Sequence, residues 1–135
     1  MADDLGAAGI ISVPIRRGVA FTDMESESPE MMGFATAVLR DWAATLPEGK
    51  SAVFLEPLNR YEATFLRRVE QAVELARSID HPRVLALADL FHMNIEESSL
   101  SAPILAAGGS LGHVHIADNN RLQPGAGCLD FRPAF

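Results

Sequence analysis

The sequence predicts an α/β fold of about four parallel strands with helices outside them. Two observations carry this. Short apolar runs bounded by turn residues alternate with longer stretches in which apolar residues recur at helical spacing. The order is strand then helix throughout, which implies parallel strands joined by right-handed crossovers. Two architectures fit: a small doubly wound sheet, or part of a (β/α)8 barrel.

Gly9-Ile10-Ile11-Ser12-Val13-Pro14 reads as a first strand, rich in β-branched residues and ended by the proline. A polar segment runs from Arg16 to Glu27. Ser28-Pro29-Glu30 then marks a helix start, with a hydroxyl cap, a proline at the first helical position and an acid in the first turn. Met31, Ala35, Val38, Leu39, Trp42 and Leu46 form its expected buried face, and Pro47-Glu48-Gly49 ends it. Ala52-Val53-Phe54-Leu55 is short enough for a strand covered on both faces. A second helix is expected from about Glu62 to Ser78, with Phe65, Val69, Ala72, Val73 and Ala76 inward and Arg67, Arg68, Glu70 and Glu74 outward. Val84-Leu85-Ala86-Leu87-Ala88 is the next strand. A third helix is expected from about Ile95 to Ala106, kinked or shortened by Pro103 and closed by Gly108-Gly109. Leu111 to Ile116 is the fourth strand, and a loop follows from Asp118 onward.

With 135 residues the chain has room for one compact domain. Its 48% hydrophobic content argues against disorder. Eleven basic against 18 acidic residues give a net charge of -7, a poor basis for holding nucleic acid or an anionic membrane. The acidic start Met1-Ala2-Asp3-Asp4 is unlike a secretory signal, and no apolar run approaches the ~20 residues that span a bilayer. Cys128 is the single cysteine, cannot form an internal disulfide, and has no nearby partner spacing. The expectation is a soluble cytoplasmic protein. No Gly-x-Gly-x-x-Gly, Walker-type or Gly-x-Ser-x-Gly motif is present, so dinucleotide-binding, phosphate-loop and serine-hydrolase readings have no support.

Chemistry collects where the strands stop. The second strand is followed at once by Glu56, the third by Asp89, and the fourth carries His115 near its end. Parallel α/β folds place their sites at these carboxyl ends. Two carboxylates and an imidazole converging there suit a hard divalent ion, Mg²⁺ or Mn²⁺, with Co²⁺ tolerated by the imidazole. Acids that merely cap buried strands are the plainer alternative for any one of them. His92, Glu96 and Glu97 read as a solvated helix start. Asn59-Arg60-Tyr61-Glu62 and Asn119-Asn120-Arg121 lie in loops after strands, where substrate contacts arise, and Arg121 could clamp a hydroxylated or anionic ligand. His113 and His115 share a strand face. Trp42 and Met31-Met32 are expected in the core.

Four blocks give the chain a resemblance: Leu55-Glu56-Pro57-Leu58-Asn59-Arg60-Tyr61-Glu62, Asp89 to Glu97, Gly112-His113-Val114-His115, and Asn120 to Gly127. In this order and separation they resemble the xylose-isomerase-like TIM-barrel superfamily, and within it the ketose 3-epimerases acting on tagatose, psicose and fructose. The resemblance implies a partial (β/α)8 barrel over residues 1–135 and a metal-dependent epimerase or isomerase using Mn²⁺, Mg²⁺ or Co²⁺ and no nucleotide cofactor. It implies that Glu56, Asp89 and His115 are metal ligands, that Glu56 is also an acid/base, and that Glu62, His92 and Arg121 hold the sugar. The implied reaction removes a proton beside a ketose carbonyl and returns it to the opposite face through an enediolate.

A complete barrel takes about 250 residues. The family's fourth ligand, a glutamate on the last strand and the second acid/base, has no counterpart in this sequence. The expectation is therefore a truncated reading of a longer gene, inactive as an epimerase alone. The rival from another class is a non-catalytic half-barrel module that forms a homo-oligomer to bury its strand edges. Within enzymes the alternatives are a hydroxypyruvate or inosose isomerase, or an endonuclease of the same barrel, which normally uses more histidines and a basic groove.

Overall fold

A computed structural model describes residues 2–13 and 29–134. The expected Pro14 strand stop, the polar segment from Arg16 to Glu27 and the Ser28 cap lie outside them. Four strands, β1 (Gly9–Ser12), β2 (Ala52–Leu55), β3 (Val84–Asp89) and β4 (Leu111–His115), form one sheet in the order β1-β2-β3-β4. All three pairings are parallel. Strands laid down in sequence order, always stepping the same way, are a barrel's winding. A doubly wound sheet would reverse order at a switch point. The partial (β/α)8 barrel is the architecture found.

The sheet is apolar on both faces because strands alternate their side chains. Val53, Leu55, Val84, Ala86 and Ala88 point to the helix layer. Ala52, Phe54 and Leu87 form a smaller cluster on the opposite face, with Leu85 against it. Between Ala86 and Leu87 the β3–β4 register shifts by one residue: Ala86 pairs with Leu111, but Leu87 pairs with His113. Gly112 is the extra residue. A Cβ there would sit 2.7 Å from both Leu85 Cδ1 and Phe54 Cε1, so the bulge needs a glycine. Paired residues of parallel strands face the same way, so this one-residue slip puts His113 and His115 on the face of Leu87 and Asp89.

Helix α1 (Pro29–Ala43) packs on α2 (Val69–Ile79) through Met31, Met32, Ala35, Leu39 and Ala43, with Leu46 beyond its end. Arg40 adds a guanidinium bond to the Ser78 carbonyl. Val38 and Trp42, expected in the buried face, are instead 48% and 38% exposed. With Phe34 they form a ridge at four-residue spacing turned away from α2, and Ala43 is the residue fully buried. Met31 and Met32 do join the core.

Helix α2 is shorter than its pattern suggests. The stretch before it is irregular: the Asn59 carbonyl accepts from the N–H groups of Glu62 and Ala63, and Leu66 takes a left-handed φ of 60°. Phe65 is buried in that stretch without being helical, which is why the apolar spacing overran. Gln71 caps the start by accepting from the N–H groups of Arg67 and Arg68. Along α2, Val69, Ala72, Val73 and Ala76 face inward as expected, joined by Leu75 and Ile79.

The third helix, expected from about Ile95 to Ala106, is helical mainly over Ala102–Ala107, and an unexpected short helix precedes it. Helix α3 (Leu90–Glu96) starts directly after β3, with an Asp89 carboxylate oxygen accepting from Phe91 N–H at 2.8 Å. Helix α4 (Ala102–Ala107) starts anew, and Pro103 sits in its first turn, where the missing N–H costs nothing. Among the described residues no helix is long and apolar enough to cross a membrane.

Candidate active site

Glu56 follows β2, Asp89 closes β3 and His115 closes β4. Alternation along each strand, together with the Gly112 bulge, turns all three toward the face away from the helices. His115 Nδ1 lies 3.2 Å from Glu56 Oε1 and 3.5 Å from Asp89 Oδ2. The two Asp89 oxygens divide their work, Oδ1 capping α3 and Oδ2 facing His115. His92, one turn into α3, also reaches this centre: Glu56, Asp89 and His92 offer donor atoms all within 4.8 Å of one another.

Glu56 is buried, which pushes its carboxyl above the usual glutamate range; the facing His115 opposes this and neighbouring Asp89 adds to it. Two carboxylates held this close in partial burial repel each other, and a cation between them relieves the repulsion. The donor set of carboxylate oxygens and imidazole nitrogen therefore fits a divalent ion.

A second cluster adjoins the first. Glu62 Oε2 accepts from Arg121 Nη2 at 2.9 Å, and Glu62 Oε1 accepts from the Asn59 amide at 2.9 Å. Burial works against ionisation of Glu62, but the Asn59 and Arg121 bonds outweigh it and hold its carboxyl below the usual range. Arg121 Nη2 is 3.4 Å from His92 Nε2, and its guanidinium lies 4.6 Å over the Phe91 ring. Arg121 itself adopts a left-handed φ of 62° in a tight turn closed by Asp118. His92 is buried, which lowers its affinity for a proton. All six expected site residues thus lie in two touching clusters at the strand ends.

The sequence left four features of this region unread. Glu96 is not a solvated helix residue: its side chain is 1% exposed and accepts from the Arg60 main-chain N–H and guanidinium. Glu97 accepts from Val69 N–H at the start of α2. Asn59 is 1% exposed and joins Glu62 to His92. A buried asparagine gives no periodic signal, and its place in the polar loop between Glu56 and Glu62 was the only hint. Asp118 is fully buried, and its carboxylate accepts from the N–H groups of Asn119, Gly125 and Leu129, which organises the loop that carries Arg121. Cys128 is an exposed free thiol.

A sequence profile described as xylose isomerase-like TIM barrel matches residues 1–135. The 3-dehydro-D-guloside 4-epimerase of Escherichia coli K12 is 44% identical over 85 residues, 63% of this chain and 32% of that protein. The D-psicose 3-epimerase of Enterocloster bolteae is 41% identical over 91 residues, 67% of this chain and 30% of that protein. Among solved structures, the apo 3-keto-D-glucoside 4-epimerase from E. coli superposes with a TM-score of 0.83 at 33% identity, over 96% of this chain and 51% of that one. An L-ribulose 3-epimerase gives 0.82 at 28% identity, over 96% and 43%. The chain thus spans about a third of the length of these curated relatives and about half of the solved ones.

Proposed function

The chain belongs to the xylose isomerase-like TIM barrel family, and from that premise we propose that its strand ends form the active site of a metal-dependent sugar epimerase, of the type that inverts a carbon beside a ketone. The observation that carries the proposal is the convergence of Glu56, Asp89 and His115 at three adjacent strand ends, beside a hydrogen-bonding cluster of Glu62, His92 and Arg121. Relatives named as 3-epimerases of free ketoses and as 4-epimerases of keto-glycosides both support it, since each inverts a carbon next to a carbonyl.

In this reading Glu56, Asp89 and His115 hold Mn²⁺, Mg²⁺ or Co²⁺. The ion, when bound, supplies Lewis-acid stabilisation of charge developing on the substrate's carbonyl oxygen. Glu56 takes the proton from the neighbouring carbon. Its place directly after β2, beside the ends of β3 and β4, holds it against the ion and the substrate carbon, where a positioned carboxylate can act as base. Arg121 and His92 stand 3.4 Å apart and bind sugar oxygens, while Glu62 accepts from a hydroxyl and anchors Arg121. No nucleotide cofactor takes part. Turnover is proposed for a complete barrel containing these strands. The chain alone is expected to hold ion and sugar without inverting the carbon, since inversion needs a second acid/base on the opposite face.

The test is solvent isotope exchange. With a complete barrel containing these strands, Mn²⁺ and D-fructose or D-psicose in D₂O, the proton beside the carbonyl should exchange for deuterium as the epimer forms. Glu56→Gln should lower exchange by about 10²–10⁴-fold, the usual contribution of a positioned base. Unchanged exchange in that variant sinks the assignment of Glu56.

A further inference from the structure

The metal centre and the sugar-binding cluster both border His92, and one imidazole cannot serve both in the same way. As a ligand through Nε2 it needs a lone pair there, with the ring proton on Nδ1. As a donor to a sugar oxygen it needs the proton on Nε2. The residues around it make the choice.

The main-chain N–H of Asn59 points at His92 Nδ1 at 3.1 Å. A backbone amide can only donate, so Nδ1 must accept. The side-chain amide of Asn59 reaches the same nitrogen at 2.8 Å. Its orientation is fixed, because Asn59 Oδ1 accepts from the main-chain N–H of Tyr61 at 2.9 Å. The atom facing Nδ1 is therefore the NH₂ group, whose other hydrogen goes to Glu62 Oε1. Two donors converge on Nδ1, and the ring proton is left on Nε2. Arg121 Nη2 stands 3.4 Å from that nitrogen and is also only a donor. Two donors side by side want one shared acceptor, such as a hydroxyl or carbonyl oxygen.

We propose that Asn59 is a positioning residue that locks His92 in the Nε2–H form, withdrawing it from the metal set and reserving it for a substrate oxygen. The Glu56, Asp89 and His92 grouping, close as it is, is then not the ligand set, and His115 supplies the nitrogen. This deepens the epimerase reading and rests on it for the nature of the ligand. The tautomer itself stands on hydrogen-bond geometry alone.

The experiment is long-range ¹H–¹⁵N correlation of the imidazoles in the ¹⁵N-histidine-labelled 135-residue chain, with and without Mg²⁺. His92 should show a protonated Nε2 and an unprotonated Nδ1, both unmoved by Mg²⁺, while a His115 nitrogen shifts. A protonated Nδ1 on His92, or a His92 nitrogen that shifts with Mg²⁺ as a ligand does, overturns the proposal. In Asn59→Asp, a carboxylate replaces the amide donor at nearly the same size and competes with the remaining main-chain N–H for Nδ1, so the share of His92 carrying its proton on Nδ1 should rise. A folded variant whose His92 keeps the wild-type pattern also overturns it. If Asn59→Asp does not fold, the wild-type tautomer and its indifference to Mg²⁺ decide the matter. Failure of Glu56→Gln to slow isotope exchange would count against the epimerase chemistry and leave the His92 result standing.

Discussion

At the scale of single residues, the site is a set of polar groups whose partners lie far away in sequence. Asn59 meets His92 across 33 positions, Arg60 meets Glu96 across 36, and Glu56 meets His115 across 59. Glu96 gives a pH prediction. Burial opposes its ionisation, but the Arg60 guanidinium and N–H outweigh this and hold its carboxyl below the ordinary glutamate value of 4.5. A carboxyl lowered in the folded state contributes stability above its unfolded value, and that contribution is lost as pH falls through the folded value. Wild type should therefore be more stable than Glu96→Gln at pH 7. The gap should close below about pH 4.5, measured by urea unfolding. A gap that persists unchanged at pH 3 would remove the ion pair as its cause. Glu56, Asp89 and His115 were legible in the sequence because each ends an apolar run. Glu96 and Asn59 were not, because burial of a polar residue depends on what folds over it.

At the scale of elements, two features decide the geometry. One is Asp89, whose carboxylate caps α3 and so ends the strand and starts the helix at the site. The other is the Gly112 bulge. Without it, the β3–β4 register would place His115 on the helix side, away from Glu56. Gly112→Ala should force the Leu85 and Phe54 side chains apart, costing about 1–3 kcal/mol for overpacking. It should also weaken Mn²⁺ binding by moving His115, as measured by titration calorimetry. Full stability with unchanged affinity would show the bulge tolerates a side chain. The sequence showed alternation of His113 and His115 but not the slip, since a bulge is a relation between two strands. The α1 ridge of Phe34, Val38 and Trp42 teaches the same point: an apolar stripe is wide enough to face two directions, and its neighbours choose.

At the scale of the whole molecule, the proposed ion would bridge the ends of β2, β3 and β4, so binding it is linked to the stability of the sheet. Mn²⁺ at 100 times its dissociation constant should stabilise the chain by about 2.7 kcal/mol. A rise in thermal midpoint with added Mn²⁺, reversed by chelator and absent in Glu56→Gln, is the expected result. A midpoint indifferent to Mn²⁺, Mg²⁺ and Co²⁺ alike would mean that no such ion is held. By itself the sequence determined the number and order of the strands, the helices between them in outline, and the carboxylates at the ends of β2 and β3, because periodicity and chain breaks are properties of neighbours along the chain. Only the tertiary structure decided that the strands wind in barrel order, that His115 turns toward Glu56, and that Asn59 stands between Glu62 and His92. Those facts are set by which remote segments pack together, and no stretch of a few residues encodes that on its own.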